Sequence, residues 1–157
     1  MIMNNAWMPR EKWDALVRGE NCPLCAVVAS KAATNYIADL SISRLILDKN
    51  QYIKGYCLLI CLKHVREPYE LSAGEQHQYF TDLMRVGAAL EKVFGAVKMN
   101  FQILGNAVPH LHCHIEPRYY GDASPGKPID PNKETVILKP EEYQQRIKQI
   151  RQALGKT

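Results

Sequence analysis

The sequence predicts an α+β fold built around an antiparallel sheet. Three observations lead to this class. Short apolar runs that suit strands fall in two groups along the chain, a long helical segment with a clear start signal separates them, and a second helical segment lies near the end. This order of strands and helices favours an antiparallel sheet.

Length and composition limit what the chain can be. We expect its 157 residues to form one domain, with a core at about 20–120 and a loop and helix in 121–157. Hydrophobic residues at 46% and charged residues at 23% are ordinary globular usage, which excludes a disordered or fibrous chain. The net charge of +4 comes without a run of like charges, so we expect a small polyanion as ligand and no nucleic acid.

Nothing in the sequence predicts a membrane partner. The longest apolar run, residues 56–62, is far shorter than the roughly 20 residues that cross a bilayer. Residues 1–10 lack the basic region, apolar stretch and cleavage site of a secretory signal, so we expect a cytoplasmic protein. The five cysteines would then be reduced thiols, for which metal binding or packing is a better explanation than disulfides.

The first predicted elements are a short helix and three strands. The helix covers residues 8–18, with Pro9 near its start and Gly19 just past its end, which are the usual positions of these residues. The three strands cover residues 36–40, 43–47 and 56–62. A turn at 48–55 separates the second of these strands from the third.

A long helix follows the third strand. Ser72 and Glu75 match a capping box, in which the two side chains satisfy free amides at a helix start. The helix should run to about Phe94, because Gly95 favours the end of a helix.

Two more strands are predicted after the long helix, at residues 98–104 and 111–116. A turn around Gly105 and Asn106 joins them, so they should pair antiparallel. Residues 120–132 are rich in proline and glycine and predict an irregular loop. Pro140 then opens a C-terminal helix with an acidic first turn, which suits the helix dipole.

Three histidines stand at every second position of the last predicted strand: His110, His112 and His114. Successive side chains of a strand point to opposite faces, so all three should share one face. A neutral imidazole is a competent nucleophile near pH 7, and its neighbours can donate hydrogen bonds to charge on a phosphoryl oxygen. The pattern predicts a catalytic site. The alternatives are a row of surface histidines on an edge strand and an adventitious metal-binding site.

These residues resemble the signature of the histidine triad (HIT) family, in which three histidines alternate with apolar residues. Residues 110–115 follow that signature, and residues 117–119 resemble the continuation common in bacterial members. Residues 55–60 and 63–65 resemble an earlier block of the family. The resemblance covers about residues 22–119, most of the chain.

The resemblance implies a five-stranded antiparallel sheet with a long helix after the central strand and a C-terminal helix, in a chain that pairs as a homodimer. It also implies catalysis through a covalent nucleotidyl-imidazole intermediate, which makes the central histidine, His112, the nucleophile. His114 would hydrogen-bond a phosphate oxygen. Asp48 would accept hydrogen bonds from the sugar hydroxyls, and Asn106 would supply a donor on the phosphate side.

The sequence departs from the family pattern at two positions. Glu116 stands where the signature has an apolar residue, although strand alternation could turn it toward the face of His112 and toward Arg118. Ala107 replaces the serine with which the nucleoside phosphoramidases of the family assist the leaving group.

Residues 104–110 look most like the corresponding segment of bacterial members that hydrolyse diadenosine polyphosphates.

A second constellation begins with Cys22 and Cys25, whose spacing lets both thiolates reach one tetrahedral Zn²⁺. Alone the pair is half of a site, and it could instead be a redox pair or two buried small hydrophobes. In zinc-containing family members, a histidine of the earlier block and the first histidine of the triad complete the site. The resemblance therefore implies a structural zinc ion on Cys22, Cys25, His64 and His110.

The residues and the resemblance together predict a hydrolase that cleaves nucleotides at the α-phosphate, with dinucleoside polyphosphates as the preferred substrates. A nucleoside phosphoramidase is one alternative, and a nucleotidyltransferase or phosphorylase with the same first half-reaction is another. Two hypotheses of other classes are a nucleotide-binding module with incidental turnover and a zinc-only regulatory domain that binds no nucleotide.

The remaining reactive and aromatic side chains have simpler interpretations. His77 lies within the predicted long helix and is expected at the surface. Trp7 and Trp13 flank the first helix as packing or dimer anchors, with nucleobase stacking as an alternative. The cysteines among the strand residues are expected in the core: Cys57, Cys61 and Cys113.

Overall fold

The computed structural model describes residues 7–156 of the chain. These residues form five strands, four α-helices and one 3₁₀ helix. In chain order the elements are α1 (Arg10–Val17), α2 (Pro23–Ala29), β1 (Tyr36–Asp39), β2 (Ser43–Leu47), β3 (Cys57–Cys61), the 3₁₀ helix (Pro68–Glu70), α3 (Ala73–Phe94), β4 (Lys98–Gln102), β5 (His112–Arg118) and α4 (Pro140–Ala153). No helix among them has the length and hydropathy that crossing a membrane requires.

The strands form one antiparallel sheet in the order β1-β2-β3-β5-β4. This confirms the predicted α+β class, with five strands, a long helix after the central strand and a C-terminal helix. The last two strands pair antiparallel as predicted, with Gln102 of β4 opposite His114 of β5.

Helix α3 begins and ends where the sequence predicts. The Ser72 hydroxyl accepts from the Glu75 amide at 3.3 Å, and the Glu75 carboxylate accepts from the Ser72 amide at 2.8 Å, so the capping box is present. Gly95 ends the helix in the left-handed conformation. Helix α2 is an addition to the prediction: it starts directly after Cys22 and carries Cys25 on its first turn.

One face of the sheet packs against α3 and α4. Alternating side chains of β2, β3 and β5 meet the buried stripe of α3 and form the main core. Ile147 and Ile150 of α4 are buried in the same core. The cysteines of the strands also lie there, as expected: Cys57, Cys61 and Cys113.

The opposite face of the sheet carries His112 and His114, and we call it the histidine face. Directly opposite residues of an antiparallel pair lie on the same face. His112 therefore lies beside Ile60, and His114 lies between Leu58 and Gln102. This face thus presents polar side chains on β4 and β5 and apolar side chains on β3.

A long irregular segment, residues 119–139, crosses part of the histidine face, and we call it the covering loop. Its Ile129 packs against Tyr56 and Ile53, at the turn that leads into β3. The Asn50 side chain donates to two main-chain carbonyls of the loop, at 2.8 and 2.9 Å. The covering loop therefore forms one wall of the space in front of the histidines.

Candidate active site and metal centre

His112 and His114 lie side by side at the start of β5. Their ring centroids are 4.9 Å apart. His110 precedes the strand, and its ring lies against that of His64, with the centroids also 4.9 Å apart. The three predicted imidazoles therefore divide between two neighbouring sites.

The main chain orients the ring of His112. Its Nδ1 lies 2.7 Å from the carbonyl oxygen of His110, and because a carbonyl can only accept, Nδ1 carries the hydrogen and donates it. The lone pair of the ring is then at Nε2. Burial lowers the pKa of His112, so the ring is neutral near pH 7.

Tyr56 contacts His114. The Tyr56 hydroxyl is hydrogen-bonded to Nδ1 of His114, and the planes of the two rings differ by 11°. Burial, with a smaller contribution from His112, lowers the pKa of His114 to about 4. His114 is therefore neutral near pH 7 and lies between Tyr56 and His112.

Asp48 follows β2 and lies next to Tyr56 across the sheet. Its amide donates to the Tyr56 carbonyl at 3.0 Å, and its Oδ1 accepts from the Asn50 amide at 2.8 Å. Burial raises the pKa of the Asp48 carboxyl. Among the described residues no hydrogen bond reaches Oδ2, which leaves an acceptor for a ligand hydroxyl.

Asn106 lies on the exposed turn between β4 and β5. It lines a cavity of about 140 Å³ together with Trp7 and Trp13. The two indole rings pack edge to face, with centroids 5.4 Å apart. Neither histidine of β5 lines this cavity, and within residues 7–156 no hydrogen bond joins Asn106 to them.

Four potential metal ligands converge beside the start of β5. Their ligand atoms all lie within 4.8 Å of one another, and they belong to Cys22, Cys25, His64 and His110. The Sγ atom of Cys25 is 3.2 Å from Nδ1 of His64 and 3.5 Å from Nδ1 of His110. These are the four residues that the family resemblance implies, and they form a cluster that could hold a metal ion.

Main-chain carbonyls orient both imidazoles of this cluster. Nε2 of His64 donates to the Val17 carbonyl at 3.1 Å, and Nε2 of His110 donates to the Cys61 carbonyl at 2.8 Å. Both Nδ1 atoms, 3.2 Å apart, thus keep lone pairs that a cation can use. Burial and the neighbouring Cys22 raise the pKa of Cys25 to about 11, an effect that a bound dication would oppose.

Arg44 fastens α2 to the sheet. Its guanidinium is buried and donates to the Asp39 carboxylate at 2.7 and 3.0 Å. It also donates to three carbonyls at the end of α2, those of Val27, Val28 and Ser30. A cation at a helix C-terminus is favourable, so Arg44 stabilises the helix that carries Cys25.

Glu116, which departs from the family signature, lies on the histidine face as strand alternation predicts. It is 1% exposed, and Gln102 donates to its carboxylate at 2.7 Å. Burial raises the pKa of Glu116. These two residues line a cavity of about 440 Å³ with His114 and with Asp130 of the covering loop. A cavity of this size is in the range of small-molecule sites and gives a ligand access to His114.

Sequence reasoning missed three residues that shape the site: Tyr56, Arg44 and Gln102. Tyr56 is 58 positions from His114 in sequence, and no spacing rule relates two residues so far apart. Gln102 meets His114 only through the register of two strands, and no spacing rule along the chain relates the two residues. Arg44 did offer a signal, since a charged residue within an apolar strand requires a partner.

The sequence is similar to a known domain family and to individual proteins from a bacterium and a yeast. The family model described as HIT domain matches residues 29–121. Protein hit from Bacillus subtilis is 29% identical over 105 residues, which cover 64% of this chain and 72% of that protein. The asymmetrical bis(5'-nucleosyl)-tetraphosphatase of Schizosaccharomyces pombe is 35% identical over 77 residues, which cover 46% of this chain and 42% of the yeast protein.

A solved structure shows the same fold. The crystal structure of a histidine triad protein from Bradyrhizobium japonicum matches with a TM-score of 0.70 and 29% sequence identity, over 76% of this chain and 91% of the other. The residues that the family model matches make up more than half of the chain and include His112 and His114. On the evidence of its fold, its histidine-bearing strand and this match, the chain belongs to the HIT domain family.

Proposed function

We propose that the protein is a nucleotide hydrolase in which His112 forms a covalent bond to the α-phosphorus of the substrate. The observation that carries this proposal is the orientation of the His112 ring. Its Nδ1 donates to the His110 carbonyl, which leaves the lone pair at Nε2. Because burial lowers the pKa of His112, that lone pair is available near pH 7.

The proposed reaction has two steps. Nε2 of His112 attacks the α-phosphorus, and the bond to the leaving-group oxygen breaks with its electron pair on that oxygen. Water then attacks the phosphorus and gives up a proton to solvent, while the phosphorus–nitrogen bond breaks and His112 is restored. His114, with its ring centroid 4.9 Å from that of His112, donates a hydrogen bond to a non-bridging phosphoryl oxygen.

Two residues are assigned to the rest of the nucleotide. Asp48 accepts hydrogen bonds from the sugar hydroxyls at Oδ2, and the proposal is supported by the described hydrogen bonds, which use only Oδ1. Asn106 donates to the phosphates from its exposed turn. Ligand contact at Asn106 then depends on the conformation of that turn.

We favour dinucleoside polyphosphates as the substrates. The similarity to the asymmetrical bis(5'-nucleosyl)-tetraphosphatase of fission yeast supports this class, at 35% identity over 77 residues. The cavity of about 440 Å³ beside His114 offers room for part of such a ligand.

The test uses diadenosine tetraphosphate with and without inorganic phosphate. Hydrolysis yields AMP and ATP whether or not phosphate is added, whereas a phosphorylase yields ADP and ATP when phosphate is present. We expect His112→Ala to lower turnover by more than about 10³-fold, because the nucleophile is lost, while AMP binding survives.

The matched control is His77→Ala, since His77 is exposed on α3. This variant should turn over substrate at the wild-type rate. Unaltered turnover in His112→Ala would remove His112 from the mechanism, and a wild-type protein that binds AMP without any turnover would favour the binding-module hypothesis.

The metal cluster is proposed as a structural zinc site. Two cysteine sulfurs and two imidazole nitrogens are the donor set that zinc prefers, and four protein ligands close a tetrahedral coordination sphere. Cys22, Cys25, His64 and His110 would hold the ion. His110 would then serve as a ligand, and the chemistry would fall to His112 and His114.

The chain is also proposed to pair as a homodimer through the side of the molecule that carries β4 and α3. Strand β4 is an edge of the sheet, and large apolar side chains are exposed around it: Phe80, Met84, Val97, Phe101 and Leu104. Sedimentation equilibrium should give twice the chain mass of 17.9 kDa. A monomer at all concentrations would contradict this proposal.

A further inference from the structure

Tyr56 lies next to His114, one of the two histidines of the proposed active site. It precedes β3, and its ring is nearly parallel to that of His114, with the centroids 6.0 Å apart. Its hydroxyl oxygen is hydrogen-bonded to Nδ1 of His114. Among the described residues this is the hydrogen bond of the His114 ring, so Nε2 is left to a ligand.

The direction of this hydrogen bond follows from the available partners. A phenol carries one hydrogen to donate, and a neutral imidazole has one donating and one accepting nitrogen. Among residues 7–156, Nδ1 of His114 is the hydrogen-bond partner of the Tyr56 hydroxyl, and no second acceptor is within reach of it. The hydroxyl hydrogen must therefore point to Nδ1, which makes Nδ1 the acceptor and leaves the ring hydrogen at Nε2.

The two neighbouring imidazoles then hold opposite tautomers. His112 carries its hydrogen on Nδ1, because that atom faces the His110 carbonyl, and presents a lone pair at Nε2. His114 accepts at Nδ1 and presents an N–H at Nε2. One ring is prepared to attack phosphorus, and the other is prepared to donate to a phosphoryl oxygen.

We propose that Tyr56 is a positioning residue that keeps His114 in its Nε2–H tautomer, so that His114 donates to the phosphoryl group. The inference rests on the proposed role of His114 in nucleotide hydrolysis. Tyr56 acts through His114 and does not itself touch the reacting atoms.

The surroundings of Tyr56 suit this role. Its ring packs against Ile53 and against Ile129 of the covering loop, which fixes the position of the hydroxyl. Burial and the nearby carboxyls of Asp48 and Glu116 raise the pKa of Tyr56, so the phenol keeps the hydrogen that it donates. The covering loop thus contributes to the site indirectly, through Tyr56.

The experiment that tests the inference directly is NMR of the full-length protein with ¹⁵N-labelled histidine. Two-bond couplings between ring hydrogens and nitrogens distinguish the two neutral tautomers, and His114→Gln identifies the His114 signals. We expect the Nε2–H pattern for His114 at pH 7 in the wild type. A predominant Nδ1–H pattern would overturn the inference, whether or not the protein hydrolyses any nucleotide.

Tyr56→Phe provides the second test, because it removes only the hydroxyl. We expect a mixture of tautomers at His114 and a fall in kcat of about tenfold, the effect of one lost hydrogen bond, with KM changed by less than about threefold. A merely structural role would lower the amount of folded protein without moving the tautomer signals.

Tyr79→Phe is the matched control. The Tyr79 hydroxyl donates to the Leu59 carbonyl at 3.0 Å in the core, so the variant also loses one hydroxyl hydrogen bond, but on the face of the sheet opposite to the histidines. It should leave both the His114 spectrum and kcat unchanged. If Tyr56→Phe keeps the wild-type tautomer and the wild-type kcat, Tyr56 does not position His114.

Discussion

At the scale of single residues, main-chain carbonyls and one hydroxyl decide what each histidine can do. In His64 and His110 a carbonyl takes the hydrogen of Nε2, which frees Nδ1 for a metal ion. In His112 a carbonyl accepts the hydrogen of Nδ1 instead, which leaves the lone pair at Nε2. The nitrogen that the backbone contacts therefore decides which ring nitrogen keeps its lone pair, and the proposed roles of ligand and nucleophile follow from that difference.

His114 should make the folded protein sensitive to acid. Its pKa is lowered from 6.5 to about 4 in the folded state, so between these pH values the unfolded chain binds a proton that the folded chain does not. The free energy of unfolding should therefore fall as the pH decreases from 6.5 toward 4. Urea unfolding of the wild type and of His114→Gln at several pH values measures this contribution.

As the pH falls, the free energy of unfolding of the wild type should decrease more steeply than that of His114→Gln. The difference in slope should be up to about 1.4 kcal/mol per pH unit, the effect of one proton. The other titrating groups, including the proposed zinc ligands, are the same in both proteins and cancel in the difference. Equal slopes would show that His114 titrates alike in the folded and unfolded chains.

At the scale of elements, Arg118 organises the covering loop. It is 5% exposed, and its guanidinium donates to both carboxylate oxygens of Asp122 at 2.7 and 3.0 Å. It also donates to three main-chain carbonyls of the loop, those of Ala123, Ser124 and Lys127. Since Ile129 of the same loop packs on Tyr56, Arg118 supports the wall of the site from the far end of β5.

Arg118→Lys should therefore destabilise the protein and loosen the loop. A lysine cannot make the paired and branched hydrogen bonds of a buried guanidinium, so we expect a loss of about 2–4 kcal/mol in the free energy of unfolding. Urea unfolding measures this loss, and limited proteolysis should show faster cleavage within residues 119–139. Arg10→Lys, in an exposed ion pair with Asp14, is the control and should change stability by less than about 0.5 kcal/mol. A similar small effect at Arg118 would contradict this account.

At the scale of the whole molecule, the metal cluster joins parts of the chain that are distant in sequence. Cys22 and Cys25 lie more than 80 positions before His110, at separations of 88 and 85 residues. An ion held there would fix the N-terminal helices to the segment that leads into β5. Because the His110 carbonyl accepts from Nδ1 of His112, the cluster and the His112 ring are also linked directly.

Protein purified without added metal should contain about one zinc ion per chain by elemental analysis. Removal of the ion by a chelator should lower the Tm by about 10 °C and reduce turnover, because the support of His110 is lost. Cys25→Ser should lose the zinc. Cys57→Ala is the control, since Cys57 lies in the core, and this variant should keep it. A zinc-free preparation with an unchanged Tm would refute the four-ligand proposal.

Local patterns in the sequence were sufficient for much of the fold. The capping box at Ser72 and Glu75 and the stop at Gly95 set the bounds of α3, because they act through hydrogen bonds within a few residues. The spacing of His112 and His114 also placed them on one face of a strand, because the alternation of side chains is a local property of the extended backbone. The short helix α2 was not predicted, because its seven residues lack a side-chain cap.

The sequence by itself thus determined the class of fold, the order of its strands and helices, and the residue types available to the site. Only the tertiary structure decided which of them meet. The register of β3, β4 and β5 brings Tyr56 and Gln102 to His114 and Glu116, and the path of the N-terminal helices brings two cysteines to His64 and His110. These contacts join residues far apart along the chain, and no local spacing rule specifies them.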